Sequence, residues 1–313
     1  MASGSKKVIY AALVGNAMVA LTKFAAAAFT GSSAMFSEGV HSVVDTGNQV
    51  LLLHGMKRSQ RPASEDFPFG HGKEIYFWSF IVAILIFALG AGISIYEGIE
   101  HILHPQVVEN PVVNYIVLSL AILFEGFAFV MAIKEFRNAK GQMGYVEAVQ
   151  RGKDPSMFVV LFEDAAAMLG LVVALGGIVL GQVTGNPVYD GVASVIIGCI
   201  LGLTALWLAV ETKGLLIGES ANKKVVKGIR EMTQAIPGVE HVNEVLTMHM
   251  GPDFVLVNIS VDFKDSISAG EIETRIAGLD EQIKSSFPEC KRIFVEAESR
   301  RKKAAVAAPT VDV

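Results

Sequence analysis

Apolar residues gather in six stretches of this chain, near 8–29, 33–54, 74–101, 112–134, 156–181 and 189–213. Each is long enough to cross about 30 Å of hydrocarbon as a helix. From about Glu219 the pattern changes and charges become frequent. VVKGIREMTQAIPGV reads as an amphipathic helix ending before Pro237 and Gly238. VNEVLTMHM and FVLVNISVDF are β-rich runs separated by the turn signal GPD. AGEIETRIAGLDEQIKSSFP forms a second amphipathic helix, and RIFVEAE a third strand. The order αββαβ predicts a small two-layer α+β domain. The chain therefore divides into a six-helix, all-α transmembrane domain over 1–215, an α+β domain over 216–300 and a disordered tail over 301–313.

Polar positions inside the apolar stretches are not scattered. In SSAMFSEGVHSVVDTGNQVLLLHG, Glu38, His41, Asp45 and Asn48 recur at spacings of three, four and three, so they share one helical stripe. A carboxylate near the bilayer centre costs about 2.5–3.5 kcal/mol on insertion scales, so such a group is a functional hypothesis by default. Imidazole plus carboxylate at i, i+4 is half of a divalent-metal site. The fifth stretch contains Glu163 and Asp164 two turns into an apolar helix. Adjacent residues point about 100° apart, so one aims squarely at a shared site and the other supports it or pairs elsewhere. Ala165, Ala166, Ala167 and Gly170 permit close approach of another helix. Docked on the His41/Asp45 face, Glu163 completes a three-ligand site. The competing reading makes these acids structural partners of Lys23 or of other polar groups.

Other groups read more plainly. Glu125 in AILFEGFAF is either a proton relay or a packing hydrogen bond. Lys23 is expected to snorkel to an interface and Asn16 to bond across helices. His54, His71, His101 and His104 are expected at surfaces or interfaces, and His241 and His249 show no recognised ligand spacing.

Composition narrows the class. The chain has 313 residues, 52% hydrophobic and 18% charged, with mean hydropathy +0.47, too apolar for a soluble protein of this length. A net charge of −5 argues against nucleic-acid partners. Two cysteines, Cys199 and Cys290, make neither a disulfide framework nor a thiolate cluster. Lys57, Arg58, Arg61, Lys73, Lys134, Arg137, Lys140, Arg151 and Lys153 follow stretches two and four, whereas the loops after one, three and five hold no Lys or Arg. With Lys6 and Lys7, this charge asymmetry puts both termini in the cytoplasm. The N-terminus lacks an Arg- and Ser-rich amphipathic presequence, from which a bacterial inner membrane is expected.

SEGVHSVVDTGNQ and RPASEDFPFGHGKEIYFW resemble the cation diffusion facilitator family: acidic-x-x-His-x-x-x-Asp in span two, then Pro and aromatic-Gly-His-Gly-basic-Glu leading into span three. The resemblance covers nearly the whole chain. It implies a homodimer that exports Zn²⁺ or a related divalent ion in exchange for protons, the ion being substrate rather than cofactor, with a ferredoxin-like cytosolic domain. His41, Asp45 and Glu163 are the implied ligands. Span five departs from the pattern: aligned on Met168, Leu169 and Gly170, Glu163 fills the first ligand slot and Ala167 the second. Asp164 or a water is left to complete the sphere. This ED-AAA arrangement resembles the branch that includes the animal mitochondrial zinc transporter. One nitrogen among carboxylates also keeps Mn²⁺, Fe²⁺ and Co²⁺ open. RIFVEAES has no histidine, which puts metal binding by the soluble domain in doubt. The expected mechanism is alternating access with metal and protons competing for the same groups. Two other classes fit less well. An intramembrane metalloenzyme would need a signature such as HExxH, which does not occur. A passive channel would line a pore with repeated polar positions rather than cluster acids on two helices.

Overall fold

A computed structural model describes residues 3–107, 110–140, 144 and 155–300 of the chain. The expected disordered tail, 301–313, lies outside the described residues, as do Arg151 and Lys153 of the second basic loop. The chain separates into two compact units, 1–216 and 217–313.

The first unit is helical: α1 (Ser3–Thr30), α2 (Ser33–Ser59), α3 (Glu74–Leu85), α4 (Gly92–Leu103), α5 (Pro111–Lys140), α6 (Pro155–Thr184) and α7 (Val188–Ile217). A π-helical segment, Ile86–Ala91, joins α3 to α4, so Glu74–Leu103 runs as one rod with a local change of winding. Four helical stretches among the described residues are long and apolar enough to cross a membrane: Glu74–Leu103, Pro111–Lys134, Phe158–Thr184 and Val188–Ile217. Their outward faces are apolar, with Phe124 and Phe127 of α5 and Leu203 and Val210 of α7 exposed. In water such faces would be an aggregation hazard; in lipid they are the solvated side. α2 is equally long, and its polar stripe is what lowers its apolarity.

Turn chemistry sets the hairpins. α1 ends at Gly31, whose φ of +70° is left-handed and whose N–H reaches back to the Ala27 carbonyl at 2.8 Å. Ser32 then caps α2, its hydroxyl accepting the Met35 N–H. Where α4 crosses α7, the helices meet through glycines. A Cβ on Gly98 would lie 2.7 Å from the Val195 nitrogen, and one on Gly191 2.9 Å from the Gly98 carbonyl oxygen. Backbone-to-backbone packing of this kind requires the absence of side chains on both helices.

In the second unit α8 (Lys223–Gln234), β1 (Val239–Gly251), β2 (Phe254–Phe263), α9 (Ala269–Ser286) and β3 (Cys290–Ala297) follow in the order αββαβ. The sheet order is β1-β2-β3, with β1 and β2 antiparallel and β2 and β3 parallel. β2 is central and buries Val255, Val257, Ile259 and Val261, the alternation a one-faced strand requires. Ile229 of α8 and Leu279 and Ile283 of α9 join the same core. Ser268 and Glu271 form a capping box at α9. The Ser268 backbone N–H and hydroxyl that donate to Glu271 hold its carboxyl below the usual carboxylate range. Both cysteines are free. Burial, aided by Glu289, pushes the Cys290 thiol up to about 11, so it stays protonated at neutral pH.

The glycine crossing can be tested by thermal unfolding of the purified chain in detergent. Gly98→Ala should cost about 1–3 kcal/mol by overpacking. Gly176→Ala, where a Cβ meets nothing within 4 Å, should be neutral or slightly stabilising. Equal behaviour of the two variants would refute close packing at Gly98.

Candidate metal site

The polar stripe of α2 forms as the spacing predicts, and it points inward. Glu38, His41 and Asn48 are each no more than 1% exposed, and Asp45 is half-buried. Its orientation is fixed at the helix start. Asp190, in the first turn of α7, receives the Ser32 hydroxyl at 2.7 Å and the backbone N–H groups of Ser33 and Ala34 at 2.6 and 3.3 Å. A carboxylate on those N–H groups satisfies donors that the helix itself cannot and complements its dipole. Ser33 and Ser194 hydroxyls add a 2.8 Å contact between the same helices. Asp190 was not singled out by the sequence; its signal was an acid one residue before a glycine in an otherwise apolar helix start.

The stripe divides into two halves with different partners. At the Glu38 end stands Lys23 of α1. Its ammonium donates to Glu38 Oε2 at 3.0 Å, to the Ser42 hydroxyl at 2.9 Å and to Glu125 Oε1 of α5 at 2.7 Å. Lys23 is fully buried, which corrects the expectation that it snorkels. The reason is energetic: two carboxylates and a hydroxyl within reach hold the ammonium inside, where a charge is tolerated only when paired. Glu125 is thus an ion-pair partner between helices. Gly170 of α6 makes room for this cluster, since a Cβ there would collide with Glu38 Oε1.

At the other end, His41 Nε2 lies 3.3 Å from Asp45 Oδ2, one helical turn on. Asn48, the next residue of the stripe, donates its amide to Glu163 Oε1 of α6 at 2.6 Å. Glu163 is buried, and its carboxyl interacts directly with that of Asp45. Asp164 is half-buried and within electrostatic reach of Asp45 and Glu163. Several polar atoms here make no hydrogen bond: His41 Nδ1, Asp45 Oδ1 and Asn48 Oδ1, with Glu38 Oε1 and Glu125 Oε2 next door. Buried polar atoms without partners are costly and need an explanation. Among the described residues, no group of three or more His, Cys, Asp or Glu side chains is drawn tightly enough together to hold an ion. His41, Asp45 and Glu163 share one neighbourhood, and the Asn48 amide joins the two helices there.

The remaining histidines lie elsewhere. His54 packs edge-on against Trp78 and His71 against Phe67. His101 is buried at the far end of α4, facing the Gln106 backbone, and His104 is exposed 3.7 Å from Glu100.

A family model described as the cation efflux transmembrane domain matches residues 9–217, which include α2, α6 and every residue of the stripe. The chain belongs to the cation efflux family. This is a transporter family, so the metalloenzyme reading is set aside. The proton-coupled zinc antiporter SLC30A9, mitochondrial, of Xenopus laevis is 38% identical over 83% of this chain and 47% of its own length. Metal tolerance protein C4 of Arabidopsis thaliana is 30% identical over 83% of the chain and 57% of its own. The manganese efflux system protein MneP of Bacillus subtilis is 23% identical over 93% of the chain and 95% of its own. The chain spans about half the length of the first two relatives. Their likeness bears out the branch indicated by the ED-AAA arrangement. It also corrects the expectation of a bacterial inner membrane, because the SLC30A9 antiporters of Xenopus laevis and Homo sapiens are mitochondrial by name. A leader is separable from the fold, so the composition of residues 1–7 was no measure of the host membrane.

The capping role of Asp190 generates a prediction. Asp190→Ala removes three acceptor contacts at the start of α2 and should cost about 1–3 kcal/mol, lowering Tm by roughly 3–8 °C. An unchanged Tm would show that α2 is positioned by packing alone.

Proposed function

We propose that the chain exports a divalent cation, Zn²⁺ first among them, across a membrane in exchange for protons. The ion is bound by His41, Asp45 and Glu163 with Asp164 beside them. The observation that carries this reading is the meeting of an imidazole–carboxylate pair on α2 with a buried carboxylate on α6, inside an apolar bundle, with polar atoms lacking hydrogen bonds around them. Metal binds only the deprotonated forms of these groups, so metal and protons compete for the same atoms and exchange needs no separate proton site. An ion entering between Asp45 and Glu163 displaces the Asn48 amide from Glu163 and recruits both carboxylates.

We read the transport domain as six spans, α1 and α2 included, working by alternating access. The αββαβ unit is read as a ferredoxin-like domain through which two copies pair as a homodimer. The side bearing the basic loops is the side of uptake. A zinc antiporter and a manganese efflux protein stand among the relatives, and a donor set of one nitrogen and several oxygens serves both ions.

Proteoliposomes carrying a metal-responsive dye, with and without a pH gradient, test this. Zn²⁺ flux should follow the proton gradient and exceed Mn²⁺, Fe²⁺ and Co²⁺ flux. Asp45→Asn, which keeps the shape and removes the charge, should reduce it at least about tenfold without loss of folded protein. Flux indifferent to the gradient would mean a channel, and normal flux through Asp45→Asn would remove Asp45 from the site.

A further inference from the structure

Lys23 is surrounded in a way that a helix-packing ion pair does not require. Its three N–H donors meet three oxygen acceptors from two helices, at 2.7, 2.9 and 3.0 Å, and no donor is left over. Glu38 and the ammonium are 0% exposed, and Glu125 is 20% exposed. Each carboxylate keeps a second oxygen, Glu38 Oε1 and Glu125 Oε2, that makes no hydrogen bond. Two carboxylates and a hydroxyl around one point, with further oxygens at hand, are the donors a hard divalent cation takes. This group lies on the same stripe as the transport residues. Glu38 precedes His41 by three positions and Ser42 precedes Asp45 by three. Asp45 is within electrostatic reach of Glu125. Across the whole neighbourhood Glu38, Asp45, Glu125, Glu163 and Asp164 are acidic, and Lys23 is the paired cation among the described residues.

We infer that Lys23 is a built-in counter-cation. Its ammonium fills a second cation position made by Glu38, Glu125 and Ser42, and it thereby limits the membrane domain to one transported divalent ion per chain. Being tethered to α1, the ammonium cannot be carried across with the cargo. It neutralises part of the acidic excess while leaving His41, Asp45 and Glu163 as the place where an ion exchanges. The inference rests on the reading of those three residues as the transport site.

Counting zinc on the purified 313-residue chain in lipid nanodiscs, equilibrated with Zn²⁺ alone, separates the two ideas. Wild type and Lys23→Arg should bind the same number of ions. Lys23→Met should bind one more, Lys23→Met/Glu125→Gln should return to the wild-type count, and Lys23→Met/Asp45→Asn should keep the added ion. If Lys23→Met gains no ion while wild type holds one that Asp45→Asn removes, the counter-cation role is overturned and the transport site stands. If Asp45→Asn leaves the wild-type count unchanged but Lys23→Met still gains an ion that Glu125→Gln removes, the transport-site assignment fails and the counter-cation role survives. Lys23→Met that is monodisperse only with zinc present supports the inference, since the ion then replaces the ammonium. Aggregation with and without zinc, while Lys23→Met/Glu125→Gln remains monodisperse, overturns it, because no ion can stand in.

Discussion

Charge buried away from water has to be answered by something fixed, and the helical unit is arranged around that requirement. A carboxylate removed from water loses several kcal/mol of solvation that only a partner charge or well-placed donors restore. Glu38 and Glu125 meet it with an ammonium at 3.0 and 2.7 Å. Glu163 meets it with a neutral amide at 2.6 Å, and Asp190 with two backbone N–H groups and a hydroxyl. Each solution draws its partner from a different helix, so satisfying the acids also sets which helices touch. Lys23 ties α1 to α2 and α5, Asn48 ties α2 to α6, and Asp190 ties α7 to the start of α2.

α2 is the common member of these contacts. Its polar residues recur at helical spacing, so the whole set lies on one inward face while the opposite face carries Val43 and Val50 outward. That geometry demands close neighbours, and small residues supply the room: Gly170 beside Glu38 Oε1, and Gly39 under the Phe24 ring. A helix positioned at its N-terminus by Asp190 and along its length by polar contacts moves as a unit with whichever partners keep their bonds. If the proposed alternating access operates, it must choose which contacts on α2 break.

The parts of this architecture that periodicity controls were legible from residue order. Lipid leaves helices as the economical way to satisfy backbone groups, so the apolar stretches near 74–101, 112–134, 156–181 and 189–213 fall within helices of spanning length. Alternation did the same for β2, whose expected run FVLVNISVDF matches Phe254–Phe263. The α2 stripe was visible for the same reason. Periodicity gives a face, however, and not the neighbour opposite that face. The sequence could not say that Lys23 faces Glu38 rather than an interface, since seven residues from the end of α1 either reach is sterically open. Nor could it show that Asn48 meets Glu163. The balance of charge pointed the right way. Away from the ends of the apolar stretches, the acids Glu38, Asp45, Glu125, Glu163 and Asp164 outnumber the one cation, Lys23, which favours an internal pair over a snorkelling side chain.

The two halves of the stripe differ in a way that bears on which one exchanges cargo. Breaking an ammonium–carboxylate pair inside a bundle leaves two uncompensated charges, at a cost of about 3–5 kcal/mol. Moving a neutral amide off Glu163 leaves one carboxylate, which a dication bound as proposed would compensate. The Lys23 half therefore resists rearrangement and the Glu163 half invites it. Polar atoms of that half that make no hydrogen bond within the protein, His41 Nδ1, Asp45 Oδ1 and Asn48 Oδ1, reinforce the asymmetry, because a new partner there displaces no protein hydrogen bond. On the proposed reading, a single stripe carries a fixed cation position and an exchangeable one, and the difference between them is the charge of the group each already holds.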